Sequence, residues 1–340
     1  MSLDDRKSAI LRAVVQQYIE TAQPVGSNVI ARRDDVSVSS ATVRTEMHDL
    51  ECEGYLAQPH TSAGRVPTEK GYRFFVDAIG GAGPLSPHGV TQVSDFFAAA
   101  HGELEQLLGQ TSHLLSTLTD SAAVVTGTEA EAATLRSVQL VDLNASVHMV
   151  VAVTSAGSVL KYTFEVPDRS RESAAPHVGG VEESQELLAS AVLGRSLSEI
   201  GSAAVPEGAR GSELAVLALG ALVDGLQAER DLLYVDGTAR IANIFDARET
   251  VESVLAVLEK QFVVVSLLKE IVDSGMTVAI GSETGVAPLA ECSVVVAPYR
   301  SDSGATGAIA VLGPTRMDYA RTVSAVAAVS QRLSRLLTEG

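Results

Sequence analysis

A chain of 340 residues is long enough for two or three domains with cores of their own, and its 46% hydrophobic and 20% charged content is that of an ordinary globular protein. No apolar run approaches the roughly 18 residues of a membrane-spanning helix, and the start, MSLDDRKSAI, has acids where a secretory signal would have only bases; the expected setting is the cytoplasm, with no membrane contact. The net charge of -17 speaks against nucleic acid, but it is unevenly spread: residues 1–78 hold 9 Lys and Arg against 11 Asp and Glu, a net of -2, and the other 262 residues carry -15.

Leu3 to Ala22 reads as a first helix, because Ile10, Val14 and Tyr18, with Leu11 and Val15 beside them, form one apolar stripe. Pro24 and Gly26 end it. Ser27 suits the cap of a short second helix, NVIARR, held down by burial of Val29 and Ile30. After the polar RDDVSV, Ser39 is placed to cap a third helix that runs to about Glu53, where Gly54 stops it. On that helix Val43, Met47 and Leu50 share a face, so Ala41, Thr45 and His48 point the other way, flanked by Thr42 and Arg44. Small and hydrogen-bonding residues on an outward face are what a helix needs to enter a major groove about 12 Å wide. The same pattern by itself also fits a solvated helix of any small helical domain.

Two short strands, Tyr55 to Gln58 and Arg65 to Pro67, follow around the polar loop PHTSAG. A helix-turn-helix with a β-hairpin after it is a winged helix. The loop carries His60, Thr61, Ser62 and Arg65, groups that can donate to phosphate. Thr68 can cap a fourth helix, TEKGYRFFVDAI, with Tyr72, Phe75 and Ile79 inward and Lys70 and Arg73 near the wing base. Arg44, Arg65, Lys70 and Arg73 are expected to converge on one surface. Arg44, Thr45 and His48 are the candidates for base edges; Ser39, Ser40, Thr42, His60, Thr61, Ser62, Arg65, Lys70 and Arg73 are the candidates for backbone or minor-groove contact.

GGAGPLSPHG, residues 80–89, reads as a linker. From Val90 to about Leu118 a heptad-like series, Phe97, Leu104, Leu108, Leu115 and Leu118, with His101 and Thr111 as imperfect members, predicts one long helix, packed on its own domain or paired across a dimer. Strands are predicted at 136–143, 147–154, 158–164, 231–235, 277–281, 293–298 and 307–312, and helices at 182–194, 212–230, 248–272 and 318–337. Short turns such as TSAGS between neighbouring strands imply a largely antiparallel sheet flanked by helices, an α+β arrangement.

Other chemistries leave no mark. GSETG and SDSGATGAIAVLG fit neither GxGxxG nor GxxxxGK[ST] and read as hairpin turns. His48 and Cys52 have a metal-ligand spacing without a second pair of ligands. Cys52 and Cys292, far apart, read as buried small residues. No serine elbow or Ser/His/Asp order occurs, so an enzyme, a metal and a cofactor are not expected.

The stretches PVGSNVIA, SSATVRTEMHDLECEGYLAQPHTSAGRVPTEKGYRFFVD, VVVAPY and GAIAVLGPTRMDYARTV resemble the heat-inducible transcription repressor HrcA family, at both ends of the chain. The resemblance implies a homodimer that binds an inverted repeat in double-stranded DNA upstream of chaperone operons, with the chaperonin as modulator. It also implies an α+β multidomain fold: a winged-helix DNA-binding domain at 1–79, a linker at 80–89 and a GAF-like domain at 90–340, with an inserted dimerisation segment at about 165–230. Where the family has Asn after the recognition-helix Arg, as in TVRNEM, this chain has Thr45, which cannot make the bidentate contact to adenine that Asn makes. The alternative is a ligand-gated winged-helix regulator whose GAF-like domain senses a small molecule.

Overall fold

The structure is a computed structural model that describes residues 3–34, 36, 38–61, 63–81, 83–100, 104–127, 134–144, 146–155, 159–166, 181–202, 212–230, 233–245, 248–274, 277–301 and 306–339. Ser62, His101, residues 156–158 of the TSAGS turn and residues 302–305 of SDSGATG lie outside the described residues. Two compact units result. The first comprises residues 1–125, 233–298 and 308–333, and the second 126–232, 299–307 and 334–340.

The first unit begins with α1 (Asp5–Thr21), capped by Asp4, whose carboxylate accepts from the Lys7 amide at 2.7 Å. Helix α2 (Ser27–Ile30) starts one residue earlier than expected: Gly26 is its cap, and Ser27 is already helical. The expected burial of Val29 is overturned, since it is 46% exposed while Ile30 is buried; in a single turn of helix only one of two neighbouring side chains can face the core. Helix α3 (Ser40–Cys52) is followed by β1 (Leu56–Ala57) and β2 (Val66–Pro67), paired antiparallel as Leu56 with Pro67 and Ala57 with Val66. An isolated bridge ties Val25 to Arg65. Helix α4 (Glu69–Ile79) is capped by Thr68 and ends at Gly80, which is left-handed. It lies against the hairpin so closely that a Cβ on Gly71 would stand 2.3 Å from the Tyr55 carbonyl oxygen.

The expected single helix over 90–118 is two, α5 (Pro87–Ala99) and α6 (Leu104–Thr119). The apolar series continues across the break because both pieces bury one stripe, with Val93, Leu108, Leu115 and Leu118 all inside. Strand β3 (Ala122–Thr126), buried at every residue, follows directly. Its sequence, AAVVT, lacks the alternation that marks a half-exposed strand.

The second unit is built on β4 (Leu135–Asp142), β5 (Val147–Thr154) and β6 (Val159–Glu165), an antiparallel sheet in that order. One face packs Leu135, Val138, Val150, Ala152 and Leu160 against α7 (Val181–Val192), α8 (Leu197–Ser202) and α9 (Glu213–Arg230) through Leu188, Val192, Ile200, Leu219 and Leu222.

The chain re-enters the first unit through β7 (Leu233–Asp236) and α10 (Thr238–Ile244). The predicted helix over 248–272 divides at Glu259 and Lys260 into α11 (Arg248–Leu258) and α12 (Gln261–Asp273). Then come β8 (Val278–Ile280), two 3-10 turns at Gly281–Thr284 and Ala287–Leu289, β9 (Cys292–Arg300), β10 (Thr306–Pro314) and α13 (Tyr319–Glu339). The five-stranded sheet runs β7-β3-β10-β9-β8, with β3 antiparallel to β10 and β8 to β9. One face is sealed by Val254, Leu258, Leu267, Leu268 and Ile271 of α11 and α12. Alternate residues Ala123, Val125, Val295, Ile309 and Val311 are buried too, so both faces are covered. The strands therefore form separate sheets, because β4 to β6 build a core of their own.

Candidate nucleic-acid interface

The N-terminal helices hold α3 by its apolar face: Val43, Met47 and Leu50 are buried, and α1 and α2 pack against it. Three devices steady its ends. The Ser39 hydroxyl accepts from the Thr42 amide at 3.2 Å and meets the Thr42 hydroxyl at 2.9 Å, which satisfies one of the otherwise orphaned N-terminal donors. At the other end Lys7 of α1 reaches Glu53 at 2.7 Å and Asp49 at 3.6 Å; hydrogen bonding to Glu53 raises its pKa. Lys70 of α4 donates to the Glu53 carbonyl at 2.8 Å and sits 4.1 Å above the centre of the Tyr55 ring, a cation at a helix C-terminus where the backbone dipole favours one.

What faces outward is Ala41, Arg44, Thr45 and His48, all exposed. Arg44 has no hydrogen bond or ion pair with any described residue. The Thr45 hydroxyl donates to the Ala41 carbonyl at 3.2 Å, so its one O–H is spent within the helix and only its acceptor lone pairs are left to offer a base edge. His48 lies 3.6 Å from Glu51 and, through Nε2, 3.8 Å from the Cys52 sulfur. Cys52 is exposed, contrary to the expectation that both cysteines are buried; Cys292 is buried. Position 52 falls one turn beyond His48, on the solvent side of the helix and roughly opposite Leu50.

The hairpin loop presents His60 and Thr61 to solvent, braced from inside by Gln58, whose amide donates to the carbonyls of Thr61 at 3.1 Å and Ala63 at 3.0 Å. Ser40 donates to Asn28 of α2 and lies 3.3 Å from the Ser27 hydroxyl. Asn28 is exposed beside the start of α3. The sequence reading missed it because a single Asn in a four-residue helix has no periodic signal.

The expected convergence of four cations is corrected. Arg65 is turned inward, its Nε and Nη2 donating to Glu51 at 3.0 and 2.9 Å. Lys70 is engaged at the end of α3. Arg73 points to the far side of α4, where it meets Glu283 in bidentate fashion, donates to the Val278 carbonyl at 2.8 Å and lies 3.4 Å from Asp77. The hydrogen bonds to Glu283 hold its guanidinium even more firmly protonated. Among the described residues Arg6, Lys7, Arg65 and Arg73 are paired with carboxylates, whereas Arg44 has no such partner there.

Residues 105–323 match the family described as the HrcA protein C terminal domain. The chain is 37% identical over 346 residues to the heat-inducible transcription repressor HrcA of Streptomyces avermitilis, covering 99% of each. It is 36% identical over 349 residues to the repressor of the same name from Pelotomaculum thermopropionicum, covering 99% of this chain and 97% of that one. A crystal structure described as a hypothetical protein aligns with a TM-score of 0.62 at 23% identity, covering 99% of both chains, and shares the mixed α/β fold.

Proposed function

The chain belongs to the HrcA family of heat-inducible transcription repressors, and we propose on that premise that it acts as a homodimer on an inverted-repeat operator in double-stranded DNA, with α3 in the major groove. The observation that carries this reading is the outward face of α3, where Arg44 stands exposed and without a polar partner among the described residues, while the opposite face is locked in the core. An arginine in that setting can donate two parallel hydrogen bonds to a guanine edge. In the same proposal Ser39, Ser40, Thr42, His60, Thr61 and Lys70 would supply phosphate contacts that orient the helix. Arg65 and Arg73 are reassigned as internal struts. In this reading residues 1–79 are a winged-helix domain, 80–89 a linker whose last three residues are already the first turn of α5, and the remainder a GAF-like domain whose inserted unit serves dimerisation.

The acidic remainder of the chain suits this role. Beyond a Debye length of about 8 Å its charge is screened from the DNA-facing surface, while it discourages non-specific adhesion to duplex. The family premise brings two further elements: a cytoplasmic setting and modulation by the chaperonin. Among the described residues no helix is long and apolar enough to cross a membrane. The test is a gel shift of an inverted-repeat duplex by the purified protein, with and without chaperonin. A retarded band competed by the repeat and not by scrambled DNA, strengthened by chaperonin, is the expected result; equal competition by scrambled DNA would reject the operator reading.

A further inference from the structure

The GSETG stretch, which fits no nucleotide-binding pattern, has a partner 213 residues away. Glu69 and Arg73 stand one turn apart on α4 and both face the 3-10 turn Gly281–Thr284. Glu69 accepts from the Ser282 amide at 3.0 Å and from the Ser282 hydroxyl at 2.5 Å. Arg73 donates through Nε to Glu283 at 2.9 Å and through Nη2 to the other oxygen of the same carboxylate, which also accepts from the Ile280 amide at 2.9 Å. Arg73 and Glu283 thus form an ion pair with side chains 27% and 31% exposed, and Glu69, an exposed residue, adds two hydrogen bonds to Ser282 beside it. Gly281 is required on two counts: its φ is +53°, and a Cβ there would meet Glu69 Oε1 at 2.1 Å and the Ala290 carbonyl oxygen at 3.0 Å. Beneath the polar layer Tyr72, 4% exposed, packs on Tyr319 with ring centres 6.1 Å apart. The Tyr319 hydroxyl is itself fixed between Ser293 and the Thr315 carbonyl, both at 2.7 Å.

The opposite side of α4 is joined to the recognition helix. Lys70 holds the carbonyl of Glu53, the residue that caps the end of α3, the Thr68 hydroxyl donates to the Gly54 carbonyl at 2.7 Å, and Gly71 lies against the Tyr55 backbone. Helix α4 is therefore a rigid bar with the clasp on one side and α3 on the other. We propose that Glu69, Arg73, Ser282 and Glu283 form a clasp of positioning residues that fixes the direction of α3 relative to the five-stranded sheet and so sets which half-site spacing the repressor accepts. This rests on the operator reading. A two-fold dimer engages both half-sites only when both recognition helices are held at one separation and angle. With the clasp open, each α3 would be tethered rather than aimed, and a range of spacings would become acceptable at a cost in affinity for the best one.

The test uses Arg73→Glu, Glu283→Arg and the double exchange in the full chain, titrated against inverted repeats whose half-sites are moved apart one base pair at a time. The unsubstituted protein is expected to prefer its best spacing over one shifted by half a turn by about tenfold or more, shrinking to about twofold in each single variant and recovering in the double exchange. Discrimination between half-site sequences, which depends on Arg44, should be unchanged in all three. Glu283→Gln, which keeps the shape and removes the charge, gives an intermediate spacing preference and guards against a variant that fails to fold. An undiminished spacing preference in the folded single variants overturns the clasp while leaving the operator reading intact. Failure of the unsubstituted protein to bind any repeat overturns the operator reading and the clasp's role together.

Discussion

Arg65 and Glu51 are joined by two hydrogen bonds to one carboxylate oxygen, at 2.9 and 3.0 Å, with side chains only 18% and 27% exposed. The pair links the residue that opens β2 to the last turn of α3, and the Arg65 backbone is simultaneously bridged to Val25, with N to O distances of 2.8 Å in both directions. Arg65 therefore joins three segments of the N-terminal module that are separate in sequence.

Arg65→Ala is expected to destabilise the folded protein by about 1–2 kcal/mol, between the small worth of an exposed pair and the larger penalty for stranding a buried partner. Lys should restore only part of this, because a single ammonium cannot reproduce the two fixed N–H directions. Urea unfolding followed by circular dichroism measures it. A midpoint unchanged by Arg65→Ala would show that Glu51 is adequately served by water.

Arg44→Ala should leave the unfolding midpoint in place, since Arg44 touches no described residue through a polar contact, and should weaken operator binding by about 1–3 kcal/mol while relaxing selectivity at one position per half-site. Fluorescence anisotropy against a panel of single-base operator variants reads both quantities. Equal weakening on every variant would reassign Arg44 to phosphate.

Tyr72 carries a hydroxyl that is buried and has no hydrogen-bond partner among the described residues, and burial drives its pKa upward. Leaving such a group unsatisfied costs about 1–3 kcal/mol. Tyr72→Phe keeps the ring contact with Tyr319 and removes the cost, so the melting temperature should hold or rise. A clear fall would mean that the hydroxyl has a partner worth keeping.

The two cysteines should differ in reactivity. Cys52 is exposed and is expected to consume a disulfide reagent quickly at neutral pH, whereas Cys292 should react only as the protein unfolds. Burial pushes the Cys292 thiol up to about 12, with Glu291 adding to the effect. The folded state therefore holds the proton more tightly than the unfolded chain; this stabilisation is complete below the ordinary thiol range near 8.5 and is lost as pH climbs toward 12. Cys292→Ala should flatten part of that alkaline decline. Two thiols reacting at equal rates in the folded protein would contradict the assignment.

Much of the N-terminal module was legible from local pattern. The caps at Ser39 and Thr68, the stop at Gly54, the inward Val43, Met47 and Leu50 and the short hairpin all follow from relationships within a few residues, and each occurs where expected. Breaks were less visible: α11 ends at Leu258 with neither proline nor glycine beside it, and the one glycine between α5 and α6, Gly102, is outweighed by the apolar stripe that runs on past it. Strand β3 was missed because a strand buried on both faces has no alternation.

The sequence by itself determined which side of α3 faces the core, because a 3.6-residue period and a capping hydroxyl act within one helix and need no knowledge of the rest. Only the tertiary structure decided what each cation does. Arg44, Arg65, Lys70 and Arg73 carry the same charge, yet one is left exposed, one is spent on Glu51, one caps a helix and one crosses 210 positions to Glu283. Charges pair by distance and desolvation, and those quantities exist only once the chain has brought remote backbone together.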